Sequence, residues 1–410
     1  MDLPLNTTRP LIMHIDLNSC FAIIEQQANP LYRNKPLVVA AYDSPGGMIL
    51  ASSYEAKALG IKLGYSVRDA RQVCPKIIVL TPDPQKYREA NKRFSKILFE
   101  YTNNVVPKSI DEFVVDLRNS PSVNNGKTME EIGYEIKDKI KSSIGCYVTV
   151  NVGIGTNRFW AKTAANLHKP DGMDVMDASN ARDIYKILGL RDLNGINFRY
   201  EARLNQNNIF SPTQLFNASA DTLKKRVFKS KVGSDWYYRL RGWEIDDVIW
   251  GRKSFGHSYA LPYKTTDIKE LSKLLCKLSE KTGRRLRSGG YAASGIHLSL
   301  GFDNHTSYTK SHNTKYLFFA SSDIFNNSLN LLNKAPLMNR VSNLSISVYG
   351  LRLSTPEQMD IFSATSLDKK PLAKACDDIN DRFGDFAITP AIIMNMQDTI
   401  KDRIGFGKLS

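Results

Sequence analysis

At 410 residues the chain is too long for one ordinary hydrophobic core, so two to four domains are expected. Its 42% hydrophobic and 24% charged residues exclude a disordered polymer, and the formal charge of +15 calls for a polyanionic partner. No stretch approaches the roughly 20 apolar residues of a membrane span, and the amino terminus lacks a signal-peptide layout. The five scattered cysteines, Cys20, Cys74, Cys146, Cys276 and Cys376, form no Cys-x-x-Cys or Cys/His cluster. A cytoplasmic protein with no membrane association, zinc site or disulfide framework is the expectation.

Residues 10–17 read as an apolar strand ending at Asp16. After a turn-rich stretch, MILASSYEAKALGI reads as a strand running into a helix, and SVRDARQVCP as a short helix stopped by Pro75. Residues 85–103 carry a long helical pattern. Residues 105–117 read as a hairpin with Asp111 and Glu112 at its bend. EEIGYEIKDKIKSSIG has helical spacing at Ile132, Ile136, Ile140 and Ile144; YVTVNVGIG is a β-branched strand, and NRFWAKTAANLHKP a helix closed by Pro170. Strand, strand, helix, strand, helix, with a strand supplied from the amino terminus, predicts a split α+β sheet with helices on one face.

Asp16, Asp111 and Glu112 thus end neighbouring strands. Gathered carboxylates disfavour one another's ionisation unless cations neutralise them. Two Mg²⁺ ions ~3.5 to 4 Å apart, held by carboxylates and substrate phosphates, are a standard device for in-line displacement at phosphorus. The pattern therefore points to phosphoryl or nucleotidyl transfer. Each acid taken alone is equally compatible with a helix cap or a solvated turn residue. Ser109 and Asp116, beside the same hairpin, are expected to satisfy local backbone groups.

Residues 177–245 are mostly helical, and LNGINFRYEARLNQNNIFS is similar to a helix-hairpin-helix, whose turn at Gly195 would offer backbone N–H groups to a DNA phosphate; a plain turn at Gly195 is the alternative. From 252 onward the order becomes strand (SFGHSYALP), amphipathic helix (Ile268, Leu271, Leu274, Leu275, Leu278), strand (GIHLSLGF), a further extended stretch, helix (YLFFASSDIFNNSLNLL) and strand (LSISVYG). Alternating Ile296, Leu298 and Leu300, like Leu344, Ile346 and Val348, bury one sheet face and leave the other polar. Between Arg252 and Arg352 fifteen Lys and Arg stand against five acids, an excess of +10 that suits a nucleic acid backbone. Arg284, Arg285 and Arg287 are its densest cluster and the expected DNA contacts.

Five motifs in fixed order, HIDLNSCFA, ASSYEAKALGIKLG, SIDEFVVD, VGIGTNRFWAKTAANLHKPDG and the basic βαββαβ module, resemble the Y-family translesion DNA polymerases of the UmuC/DinB-like bacterial branch from about residue 10 to 362. The resemblance implies a multidomain α+β right-hand polymerase. Its parts would be a ferredoxin-like palm (1–17 and 90–176), small fingers (18–89), a helical thumb (177–245), a βαββαβ little finger (252–352) and a C-terminal tail (353–410). It implies low-fidelity, template-directed synthesis past damaged DNA by a monomer acting on primer-template DNA and deoxynucleoside triphosphates. Asp16, Asp111 and Glu112, with the Leu17 carbonyl, would hold two Mg²⁺. Tyr54, Lys57 and Lys169 would contact the triphosphate, with Lys57 standing where many relatives have Arg. Phe21 would be the steric gate against a 2′-hydroxyl. The chain departs from the common pattern at Leu17, Asn18 and Cys20, positions often aromatic or acidic.

PEQMDIF resembles the peptide that docks bacterial polymerases on the sliding clamp, through Gln358, Met359, Ile361 and Phe362. The pattern assigns no role to residues 363–410, whose IKDRIGFG ending is either a docking tail or a helix packed on the core. Two rival readings are a palm-fold nucleotidyl cyclase, against which the absence of GG before Asp111 and the basic module count, and a catalytically inactive DNA-damage adaptor, against which the three acids count.

Overall fold

The computed structural model describes residues 3–248, 251–353, 369–396 and 399–400. The chain divides into two compact units, residues up to 249 and residues from 250 to 402. The first unit runs β1 (Ile12–Leu17), α1 (Cys20–Ala28), β2 (Leu37–Ala40), β3 (Ile49–Ser52), α2 (Tyr54–Ala58), α3 (Val67–Val73), β4 (Ile78–Leu80), α4 (Pro84–Phe99), β5 (Val105–Pro107), β6 (Glu112–Asp116), α5 (Pro121–Asn124), α6 (Met129–Ser143), β7 (Val150–Gly155), α7 (Arg158–Ala164), β8 (Met173–Met176), α8 (Ala181–Ile187), α9 (Phe198–Asn205), α10 (Pro212–Asn217) and α11 (Lys231–Arg239).

Its main sheet has the order β5-β6-β1-β7-β8, antiparallel except for β7 beside β8. The period of two along β1 sends Met13, Ile15 and Leu17 into a core shared with α1, α4 and α6. Ile12, His14 and Asp16 point to the opposite face, where Ile12 packs with Val114 and with Ala161 of α7. Helices therefore cover both faces, and the expectation of one covered face is corrected. The glycines of VGIG permit it: a Cβ at Gly153 would lie 2.0 Å from the Ala161 carbonyl oxygen, so only a bare backbone lets α7 settle this close. α6 starts where Thr128 and Glu131 form a reciprocal cap, Glu131 N–H to Thr128 Oγ1 at 3.1 Å and Thr128 N–H to Glu131 Oε2 at 2.7 Å.

A small sheet of order β3-β2-β4 lies between α1 and α4 in sequence. Its strand β2 falls in the turn-rich stretch and β4 in one where the sequence pattern gives no element, because runs of three or four residues are too short to show alternation. α4 runs unbroken across the boundary expected between fingers and palm at 89/90 and packs with α1 and α6. The helices α8 to α11 enclose a separate cluster with Trp160, Tyr185, Leu204, Leu215, Trp236 and Leu240. Leu3 and Leu5 pack on that cluster, and Asn6 N–H donates to the Arg241 carbonyl at 2.8 Å. The first residues thus join the helical part, not the sheet with which 1–17 was grouped.

The second unit comprises β9 (Ser254–Thr265), α12 (Ile268–Ser288), β10 (Tyr291–Phe302), β11 (Ser307–Phe318), α13 (Ser321–Leu332), β12 (Val341–Tyr349), β13 (Arg352–Leu353) and α14 (Lys369–Phe383). The sheet order is β11-β10-β12-β9, with β13 on β10. Ile296, Leu298 and Leu300 sit opposite Val348, Ile346 and Leu344, all buried beneath α12 and α13. The expected helix from Tyr316 begins only at Ser321, since Tyr316–Phe318 extend β11. α14 is a helix ion-paired to α12, while the IKDRIGFG ending, after its first residue, lies outside the described residues. Among the described residues no helix is long and apolar enough to cross a membrane.

Candidate active site

The register across three strands fixes the centre. Asp16 lies directly opposite Glu112 on β6 and opposite Asn151 on β7, so the three side chains form a row on the α7 face. Asp111 occupies the turn before β6. That turn is pinned by Leu17 N–H to the Asp111 carbonyl (2.9 Å), Asn91 Nδ2 to the Ile110 carbonyl (2.6 Å) and Lys108 N–H to the Glu112 carbonyl (2.9 Å). The structure thus brings the three sequence-identified acids to one end of the sheet.

Each acid has its own partner. Lys169 Nζ donates to Asp16 Oδ2, Lys162 Nζ to Glu112 Oε1, and Ser109 Oγ to Asp111 Oδ1. His14 Nε2 lies 3.5 Å from Glu112 Oε1. Ser109 therefore serves a carboxylate, not the backbone group expected of it. Asp116 does act locally, accepting Arg118 N–H at 3.1 Å and Arg118 Nε at 2.9 Å. Lys162, His14 and Asn151 were not legible as site residues. The available signal for Lys162 was its place on the helix that the VGIG glycines bring down on the sheet.

The electrostatics divide the acids. Burial pushes the Asp111 carboxyl above its ordinary range; the Ser109 hydroxyl opposes this, and the charges of Asp16 and Glu112 add to it. At Glu112 burial acts in the same direction but is outweighed by His14 and the Lys162 ammonium, which hold it at about 2. Burial lowers His14. A hard divalent cation fits this donor set of carboxylate oxygens, and Asp111, which has a hydroxyl partner in place of a cation, is the acid most in need of one. Among the described residues, no three His, Cys, Asp or Glu side chains converge into a ready-made cation site. The lysines stand against two of the three carboxylates instead.

Beside Asp16 the sign reverses. Lys57 Nζ donates to Ser19 Oγ at 2.7 Å and lies 4.4 Å from the centre of the Tyr54 ring. Burial lowers the Lys57 ammonium first, and the nearby Lys169 charge lowers it further. The Tyr54 hydroxyl is pushed up to about 12, by burial and then by Asp16. Two ammonium groups that disfavour each other, with a neutral phenol, make a pocket suited to a polyanion. Phe21 is 1% exposed and stacks on Tyr87 with ring centres 4.5 Å apart and planes at 13°.

The other expected contacts separate from this centre. Gly195 adopts φ +102° in the turn before α9. Arg284, Arg285 and Arg287 lie on α12, the helical side of the second unit's sheet. Arg287 grips Asp377 of α14 through Nε at 2.6 Å and Nη2 at 2.7 Å, and Nη1 donates to the Phe319 carbonyl at 3.0 Å. Arg284 pairs with Asp381 and Asp385. Two of the three arginines expected on DNA are thus committed to the C-terminal segment, while Arg285 is exposed. Gln358, Met359, Ile361 and Phe362 lie outside the described residues.

Residues 15–166 match the family model described as impB/mucB/samB family, and residues 252–361 match the model of that family's C-terminal domain. A DNA polymerase IV of Pelotomaculum thermopropionicum is 30% identical over 403 residues, 97% of this chain and 98% of that protein. One from Moorella thermoacetica is 31% identical over 388 residues, 93% of this chain and 95% of that protein. Among solved structures, a Y-family DNA polymerase chimera of Dbh and Dpo4 is similar with a TM-score of 0.73 and 23% identity, over 83% of this chain and 99% of that one. That likeness establishes the fold, a multidomain α+β polymerase architecture of palm, fingers, thumb and little finger.

Proposed function

The chain belongs to the Y-family DNA polymerases of the impB/mucB/samB group, and from that premise we propose template-directed, low-fidelity DNA synthesis past damaged templates by two-metal nucleotidyl transfer. The observation that carries this reading is the juxtaposition at the end of β1: a carboxylate row with Asp111 on one side of Asp16, and the Lys57–Lys169 pair on the other. Acids for metal and cations for a triphosphate must be neighbours in any enzyme that transfers a nucleotidyl group. Family membership sets the cyclase aside, and retention of all three acids disfavours an inactive adaptor.

Asp16, Asp111, Glu112 and the Leu17 carbonyl would hold two Mg²⁺, which when bound lower the pKa of the primer 3′-hydroxyl and neutralise the triphosphate. The chain's own residues do the rest. Lys169 and Lys57 hold the phosphates as point charges, and Tyr54, kept neutral, donates a hydrogen bond without adding negative charge. Phe21, immobilised by Tyr87, closes the sugar pocket against a 2′-hydroxyl. We assign DNA contacts to the Gly195 turn, to the polar sheet face of the second unit and to Arg285 on α12. Gln358, Met359, Ile361 and Phe362 would tether the polymerase, a monomer, to a bacterial sliding clamp. All five cysteines are free, in keeping with a reducing cytoplasm.

Primer extension with Mg²⁺ on undamaged and abasic templates tests the proposal. Extension on both is the expected result. No nucleotide addition on either template, by protein that binds primer-template, would return the inactive adaptor to first place.

A further inference from the structure

Lys169 sits in a loop between α7 and β8, and loops do not hold a lysine tip in place unaided. Two buried asparagines hold this one. Asn18 is 2% exposed and Asn151 0% exposed, and each uses both ends of its amide. Asn18 Nδ2 donates to Asn151 Oδ1 at 2.7 Å, while Asn18 Oδ1 accepts Asp171 N–H at 2.9 Å. Asn151 Nδ2 donates to the His168 carbonyl at 2.8 Å. The two backbone groups so gripped, at 168 and 171, flank Lys169 on either side. Asn18 is itself fixed by its own N–H to the Thr149 carbonyl at 3.0 Å.

The far side of the loop is held too. Lys137 Nζ donates to the Asp171 carbonyl at 2.5 Å and lies 3.0 Å from Asp171 Oδ1, and Lys141 Nζ lies 3.1 Å from Asp171 Oδ2. Asn151 is also the sheet partner of Asp16, which Lys169 reaches. The strand that positions the metal-binding acid therefore also sets the lysine loop.

We propose that Asn18 and Asn151 form an amide bracket that positions Lys169 for the incoming triphosphate, making both asparagines positioning residues for nucleotide binding. The inference rests on Lys169 as a triphosphate contact. Asn18 needs an amide to serve both of its partners. A carboxylate there could still accept Asp171 N–H, but it would turn a second acceptor against Asn151 Oδ1 and bury a charge. The network works only if both members carry an amide, each donating in one direction and accepting in the other. Because all its groups are buried, breaking one link leaves polar atoms unpaired, and the loop must shift to reach water.

The test is a double-mutant cycle on the full-length protein. Asn18→Asp should raise KM for the correct deoxynucleotide about tenfold or more, with the effect falling on KM more than on kcat, and should speed hydrogen exchange at the Asp171 amide. Asn151→Ala, which introduces no charge, should produce the same nucleotide-specific defect if the bracket exists, and thermal unfolding of both variants separates this from loss of fold. In a Lys169→Ala background, Asn18→Asp should add less than about twofold. Full multiplicative effects on an already impaired Lys169→Ala protein would overturn the bracket while leaving Lys169 as a phosphate contact. An unchanged KM in Lys169→Ala alone would remove that contact and overturn the proposal with it.

Discussion

The two units each contain a cluster of ion pairs, and the clusters are built in opposite ways. At the end of β1, carboxylates fixed by strand register are met by lysines, single point charges on flexible stems that form one bond each. On α12, arginines are met by aspartates of α14, and Arg287 engages Asp377 through two parallel hydrogen bonds while a third donor reaches backbone. A fork locked by several acceptors defines one geometry, whereas a lysine can be displaced when a stronger cation or anion arrives. The first arrangement suits a site that must exchange partners during a reaction, the second a joint that must stay shut.

The comparison is broken most directly at Asp111. Asp111→Ala should reduce single-turnover nucleotide addition on the order of a thousandfold or more, yet leave DNA affinity and thermal stability near those of the parent, because its burial already disfavours the ionised form. Near-normal extension would sink the assignment of the acids to metal.

Unit one also has a fixed member held by packing. Phe21→Ala removes a ring stacked on Tyr87 and should shift the ratio of ribo- to deoxyribonucleotide incorporation by up to about a hundredfold toward ribonucleotides. Competition between labelled nucleotides reads the ratio, and no change would make Phe21 a core residue only.

In the second unit, Arg287→Ala should lower stability by about 1–3 kcal/mol in chemical unfolding, since Asp377 is left half-buried without its partner. Arg287→Lys should recover only part of it. The salt slope of DNA binding should stay unchanged in both; a slope that falls by about one would place Arg287 on a phosphate after all.

The smallest effect concerns pH. Glu112 is held at about 2 in the folded protein, below its usual 4.5, so its ionisation stabilises the fold above about pH 4.5 and the contribution is lost as pH falls toward 2. With metal removed by chelation, Lys162→Met should therefore cost about 1 kcal/mol near neutrality and progressively less as the pH drops through that window. A constant deficit from pH 7 to 3 would mean Lys162 contributes by packing.

Much of the site was legible because strand-terminal acids are a local signal. Asp16 stands near the end of the apolar run of β1, and Asp111 and Glu112 at the start of the run in β6, so antiparallel neighbours bring them to one end of a sheet. The partners were not legible in the same way. Lys162 meets Glu112 only because Gly153 and Gly155 let α7 approach the sheet. The spacing around Ser109 does not reveal its acid, because its acceptor depends on how the turn closes. Arg284 and Arg287 looked like the core of a DNA contact because charge density says nothing about which face of a helix is covered. Their acids stand about ninety to a hundred residues onward.

By itself the sequence determined the alternation of strands and helices, the acids that end β1 and precede β6, the basic character of the second unit and the order of motifs that marks the family. These follow from short-range spacing and from covalent order, which no packing changes. The tertiary structure decided which cation answers which acid, that α7 covers the second face of the sheet, that the first residues join the helical cluster, and that aspartates of α14 pair with Arg284 and Arg287 of α12. Each of these depends on the approach of segments far apart in sequence, set by the volume and hydrogen-bonding needs of every side chain between them, and so it has no local signature to be read.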